Sequence, residues 1–182
     1  MSTKGSGLKI QITNRYKSGV KTRIERGKTS VLKRKTKELR PYLFSFILLA
    51  IMSINELTGI VVNLCIKIHS KVGPGCFEKV YEEILYYELT KLDLNVQRQL
   101  FLAIDYEELH IEKAYKLDLL VENILVLELK SITPLPTVYF NQIKTQLSFL
   151  NLKHGMLLNF KVDLMKNGIY RIFNNFGREK LT

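Results

Sequence analysis

An α/β domain on a mixed sheet, with elements in the order ααβββαββ, is the fold class this sequence predicts. It is expected to follow a basic, non-globular N-terminal extension. Three observations lead there. Two stretches with helical apolar spacing flank Gly73-Pro74-Gly75. The run Ile124 to Leu129, ILVLEL, is almost wholly apolar, as a central strand buried on both faces must be. The charge is uneven: of 28 Lys/Arg and 17 Asp/Glu in 182 residues, residues 1–51 hold 13 and 2, and residues 52–182 hold 15 and 15. The whole net charge of +11 therefore sits in the first 51 residues. A uniformly basic surface that coats nucleic acid is excluded for residues 52–182.

Residues 1–40 carry sparse apolar side chains without a sustained period, and basic residues throughout, peaking at Lys33-Arg34-Lys35. Such a segment cannot bury enough surface to offset its chain entropy. It is predicted to be disordered, or marginally helical near residues 30–40. Two readings apply: a solvated tail, or a basic arm that holds phosphate or anionic lipid without specificity. Pro41 is followed by YLFSFILLAIM, residues 42–52. That run is shorter than the roughly 20 apolar residues of a spanning helix. Asn55 and Glu56 interrupt its extension, so membrane insertion is disfavoured. The change of charge and pattern at Met52 suggests a natural start there, with residues 1–51 an extension of the reading frame. Residues 52–182 then form the domain.

In that domain Ile54, Leu57, Val61, Leu64 and Ile68 follow helical spacing, with Ser53 or Asn55 as cap. This helix should end near Ser70, ahead of the Gly-Pro-Gly turn. A second helix is predicted over residues 76–92, its apolar face made by Phe77, Val80, Tyr81, Ile84, Leu85, Leu89 and Leu92. Residues 95–105 and 109–121 read as strands, with a turn at Glu122-Asn123. Residues 124–129 form the central strand, and Pro134 and Pro136 end the sheet region. A helix over 138–151 and strands over 155–160 and 168–173 complete the order. Cys65 and Cys76 make neither a disulfide framework nor a four-thiolate zinc site, which favours a reducing cytoplasm.

Few residues have the types and spacing that chemistry needs. Glu128 and Lys130 share one face of the central strand, with Val126 below them. Asp118 is a carboxylate inside the apolar strand KLDLLV, and the Glu122-Asn123 turn brings it toward Glu128. Two carboxylates plus a backbone carbonyl suit Mg²⁺, and Lys130 could orient a water or stabilise developing charge. On spacing alone, an ion pair at a strand end is the favoured explanation of Glu128 and Lys130.

Gly75-Cys76-Phe77-Glu78-Lys79-Val80-Tyr81 matches Gly-x-x-Glu-x-x-Tyr. With it come Ile54-Asn55-Glu56-Leu57, Ile68-His69, Gly73-Pro74-Gly75, Ala114 to Glu122, Leu127 to Ser131, Gln142, Gly155 and Asn159-Phe160. Together they resemble the small bacterial and archaeal GxxExxY proteins, a branch of the PD-(D/E)XK nuclease superfamily. The resemblance covers residues 54–173 and none of residues 1–51. It implies a single restriction-endonuclease-like core. It further implies that Asp118 and Glu128 bind Mg²⁺ (or Mn²⁺) and that Glu78 is the helical acidic residue, an outer or second-metal ligand. Lys130 is then the catalytic lysine and Gln142 the accessory glutamine.

Tyr81, one turn from Glu78, faces either the same cleft or the core. His69 is either a phosphate or metal contact or a structural residue at a helix end. His110 and His154 are expected at the surface. Lys116 and Gln146 depart from the family pattern, and neither is expected to touch the metal ligands. The implied activity is a Mg²⁺-dependent nuclease that hydrolyses DNA or RNA through a metal-activated water. The alternative is a non-catalytic module on the same fold that binds nucleic acid or protein. A third reading is a peripheral membrane protein anchored by residues 1–52. Oligomeric state is not legible.

Overall fold

The computed structural model describes residues 10–13 and 52–175. Strand β1 (Ile10–Thr13) is followed by helices α1 (Ile54–Val72) and α2 (Glu78–Thr90) and strands β2 (Val96–Tyr106), β3 (Leu109–Val121) and β4 (Leu125–Lys130). Helix α3 (Val138–Leu150), strand β5 (His154–Asn159), a 3-10 turn (Met165–Gly168) and strand β6 (Ile169–Phe173) close the chain. The six strands lie side by side in chain order, β1 through β6. All neighbours are antiparallel except β4 and β5, which run parallel on either side of α3. The predicted mixed α/β core in the order ααβββαββ is what residues 52–175 form. Residues 10–13, placed by sequence in a disordered extension, pair instead with residues 101–104 of β2 as an added edge strand. The other residues of that extension, including the apolar run 42–51, lie outside the described residues.

Local chemistry sets the element ends. Ser53 caps α1: its hydroxyl accepts from the Glu56 N–H at 3.2 Å, and the Glu56 carboxylate accepts from the Ser53 N–H at 2.7 Å. Helix α1 runs two residues beyond Ser70, to Gly73, whose φ of 77° disfavours any residue with a Cβ. Glu122 and Asn123 both take positive φ and turn β3 back into β4. This turn consumes Ile124, so β4 starts at Leu125 rather than at 124.

Two cores sandwich the sheet. Leu57, Val61, Ile68, Leu85 and Leu89 of α1 and α2 pack on Leu125, Leu127 and Leu129 of β4. Ile143 and Leu147 of α3 pack on Val126 and on Leu100, Leu117 and Leu120. Every residue of β4 is buried, which requires the continuous apolar run seen in its sequence. Alternation then places Val126, Glu128 and Lys130 on the α3 side. The ladder between β3 and β4 holds over only three pairs, from Val121↔Leu125 to Leu119↔Leu127. Beyond Leu119 the two strands separate, and polar side chains fill the opening.

Candidate active site

Asp118 occupies the point where the strands part. Its Oδ2 accepts from the Leu129 N–H at 2.8 Å, in place of a ladder bond. Across β2, between the pairs Arg98↔Leu119 and Leu100↔Leu117, Gln99 has a φ of 52°. A non-glycine residue in that region is strained, and this one lies level with Asp118 in the sheet.

Glu128 is the deepest member of the site, 2% exposed. Lys130 donates to its Oε1 at 2.7 Å. Two amides from α3 complete the shell: Gln142 Nε2 donates to Oε1 at 3.2 Å, and Gln146 Nε2 donates to Oε2 at 3.2 Å. Lys130 also lies 3.7 Å from Glu78 Oε1 at the start of α2, and 4.9 Å from the centre of the Tyr139 ring. Asp118, Glu128, Lys130, Gln142 and Glu78 thus converge, from β3, β4, α3 and α2.

Burial and like charge dominate the electrostatics. Burial first, then the nearby Glu128 carboxylate, push the Asp118 carboxyl up to about 7. Glu78 is also raised, by burial and by Glu128, against the pull of Lys130. Burial works to discharge Lys130, yet Glu128, Asp118 and Glu78 outweigh it and hold its pKa above the ordinary lysine value. The site sets three carboxylates against one ammonium.

Gln146 was expected to stay clear of these ligands, and that expectation is corrected. It holds Glu128 and also donates to the Lys116 carbonyl at 3.4 Å. It is fully buried, and its Oε1 is the one buried side-chain polar atom among the described residues without a partner. The signal lay in the spacing: Gln142 and Gln146, four apart, must share a helix face. Tyr139 and Ser131 were also missed. Ser131 Oγ donates to the Cys76 carbonyl at 2.8 Å, tying the end of β4 to the turn before α2.

Other candidates lie elsewhere. Tyr81 is fully buried, stacked on Phe160 at 4.2 Å, and its hydroxyl donates to the Gly73 carbonyl at 2.6 Å and accepts from Cys76 N–H at 3.0 Å. It braces the turn and does not face the cleft. His69 donates through Nε2 to the Val162 carbonyl at 2.8 Å, a structural tether. His110 pairs with Asp105 at the far end of β2, and His154 packs against Phe173.

The donor set fits a hard divalent cation. Asp118 and Glu128 are oxygen donors whose mutual repulsion a cation would relieve, and Gln146 Oε1 leaves an acceptor unused. Among the described residues, no set of three or more His, Cys, Asp or Glu side chains is grouped to hold a metal. Any cation here would rest on two carboxylates, backbone and water. No helix among the described residues is long and apolar enough to cross a membrane.

Comparison with curated proteins and with solved structures returns no match. A family model, that of the PD-(D/E)XK nuclease superfamily, matches residues 55–172. Nucleases of this superfamily generally use divalent metals, and membership implies a nucleic-acid substrate. The matched span holds both helical layers, the sheet from β2 to β5 and every residue of the site, so this chain belongs to the PD-(D/E)XK nuclease superfamily.

Proposed function

We propose that the chain is a Mg²⁺-dependent phosphodiesterase, with Mn²⁺ as a substitute, that hydrolyses DNA or RNA. The observation that carries this reading is the convergence of Asp118, Glu128 and Lys130 where β3 and β4 part. Two mutually repelling, buried carboxylates beside one protonated lysine are costly to keep without a further positive charge. Asp118 and Glu128 would hold the cation. When bound, it supplies Lewis acidity and lowers the pKa of a coordinated water.

Lys130, kept protonated by its neighbours, meets the negative charge that builds on the phosphate. Gln142 and Gln146 fix one oxygen of Glu128 each, so the carboxylate cannot rotate away. Glu78 acts from the outer sphere by holding the Lys130 ammonium over the site. The free cysteines Cys65 and Cys76 support a reducing, cytoplasmic setting.

The test titrates Mg²⁺ and Mn²⁺ calorimetrically into the full chain and into Asp118→Ala, Glu128→Ala and Lys130→Met. The same proteins are incubated with single- and double-stranded DNA and RNA. Wild type should bind metal and cut. The carboxylate variants should lose both, and Lys130→Met should bind metal but cut about 10²–10³ times more slowly. A folded wild type that neither binds metal nor cuts would sink the reading in favour of a non-catalytic binding module.

A further inference from the structure

Exposed apolar side chains stand next in the chain to residues of the site, where phosphate recognition alone would favour polar ones. Phe77 is 87% exposed, more than any other large hydrophobic residue among those described. It is also the N-cap of α2, where it makes no capping hydrogen bond. Neither packing nor capping accounts for an aromatic ring at that position. Val138 at the start of α3 is 59% exposed, and Ile132 in the loop before it is exposed as well.

Observed contacts tie their chain neighbours together. The Ser131 bond to Cys76 joins the chain beside Ile132 to the chain beside Phe77. The Lys130 ammonium touches both Glu78, next to Phe77, and Tyr139, next to Val138. Ile132 is fixed at both backbone groups by the Asn159 amide, at 3.2 and 2.9 Å. Phe77, Ile132 and Val138 are thus each one residue along the chain from a group that meets Lys130 or from its neighbour Ser131, an exposed apolar rim near Asp118 and Glu128, which are almost wholly buried. A stacked duplex hides its base faces and carries its phosphates on a stiff rod. A single strand can bend a phosphate inward while leaving a base face free.

We propose that this rim is a stacking platform for an unpaired base beside the reacting phosphate. The site then takes single-stranded or frayed nucleic acid in preference to intact duplex. This inference rests on the phosphodiesterase reading of the same site.

The full chain carrying Lys130→Met is titrated, in Mg²⁺, with short deoxy- and ribo-oligonucleotides containing a fluorescent adenine analogue, single-stranded or fully paired. Single strands should bind more tightly, with quenching of the analogue. Adding Phe77→Ala should weaken single-strand binding about tenfold, the size expected for one lost base-stacking contact, and abolish the quench. Duplex binding should not change, and Phe77→Trp should restore the single-strand signal. Tyr106→Ala removes another exposed aromatic, far from the site at the β2–β3 turn, and should have no effect. Equal affinity for both forms, or equal loss from both in Phe77→Ala, overturns the platform. The phosphodiesterase reading is judged separately, by cleavage with the Lys130-containing chain; if that chain cuts nothing, both fall. A lower melting temperature in Phe77→Ala with unchanged binding would assign the ring to packing against this chain's own segments, and also overturns the platform.

Discussion

At the scale of single residues, Asp118 couples stability to chemistry. Its folded-state pKa of about 7 lies above the ordinary aspartate value of 3.8. The folded protein therefore keeps a proton that the unfolded chain has already lost between those values. Stability conferred by that proton is present at low pH and is lost as pH rises toward 7. The full difference corresponds to at most about 4 kcal/mol, and partial solvation reduces it. Asp118→Asn keeps an acceptor for the Leu129 N–H and removes the charge. Melted in chelator at pH 8, it should be more stable than wild type by on the order of 2 kcal/mol, while cutting nothing. Equal melting temperatures at pH 8 would contradict the buried-charge account. The same proton competes with metal. Mg²⁺ affinity measured by calorimetry should fall about fivefold between pH 7 and pH 6, and level off above pH 8. Gln146→Leu removes a buried amide whose Oε1 is unpaired, so the fold should survive. Freed on one side, Glu128 should bind Mg²⁺ more weakly, whereas a purely structural glutamine would leave metal affinity unchanged.

Among the elements, the turn before α2 is the hinge of the site's geometry. Tyr81 ties Gly73 to Cys76 with one hydroxyl, and Ser131 ties Cys76 to β4. Tyr81→Phe leaves the ring stacked on Phe160 but removes the partner of the part-buried Gly73 carbonyl and Cys76 N–H. A loss of about 1–3 kcal/mol in denaturant unfolding is expected, with a smaller effect on cleavage than any change to Asp118. The turn into β6 is equally constrained. A Cβ on Gly168 would lie 1.9 Å from the Asn159 carbonyl oxygen, and backbone cannot move aside as a side-chain tip can. Gly168→Ala should lower the melting temperature sharply, whereas an unchanged value would mean that the end of β5 is not held against this turn.

For the whole molecule, charge and architecture are divided along the chain. Both hydrophobic cores among the described residues begin at Leu57 or later. The net charge of +11 lies ahead of them, in residues 1–51. Removing residues 1–51 should leave a folded domain, although β2 loses the strand paired at 101–104. Oligonucleotide binding by the shortened chain should be weaker at low salt and much less salt-dependent, because fewer counterions are released. Identical salt slopes for both chains would show that the basic segment does not contact the nucleic acid.

The sequence alone determined the order of elements, the two helical stripes, the central strand and the resemblance that singles out Asp118, Glu128, Lys130, Glu78 and Gln142. These are legible because alternation, helical period and turn residues act over a few neighbours. Segments 10–13 and 101–104 pair across about half of the chain, so no local pattern announced β1. Gln146 looked like a departure from a family pattern, and only the packing of α3 over the gap between β3 and β4 turned it onto Glu128. Tyr81 could have faced cleft or core, and the stack on Phe160, far along the chain, decided for the core. The Asp118 pKa, the opening of the sheet at that residue and the apolar rim near Asp118 and Glu128 likewise depend on which distant segments meet. Burial and proximity are properties of that meeting, and sequence period carries no record of them.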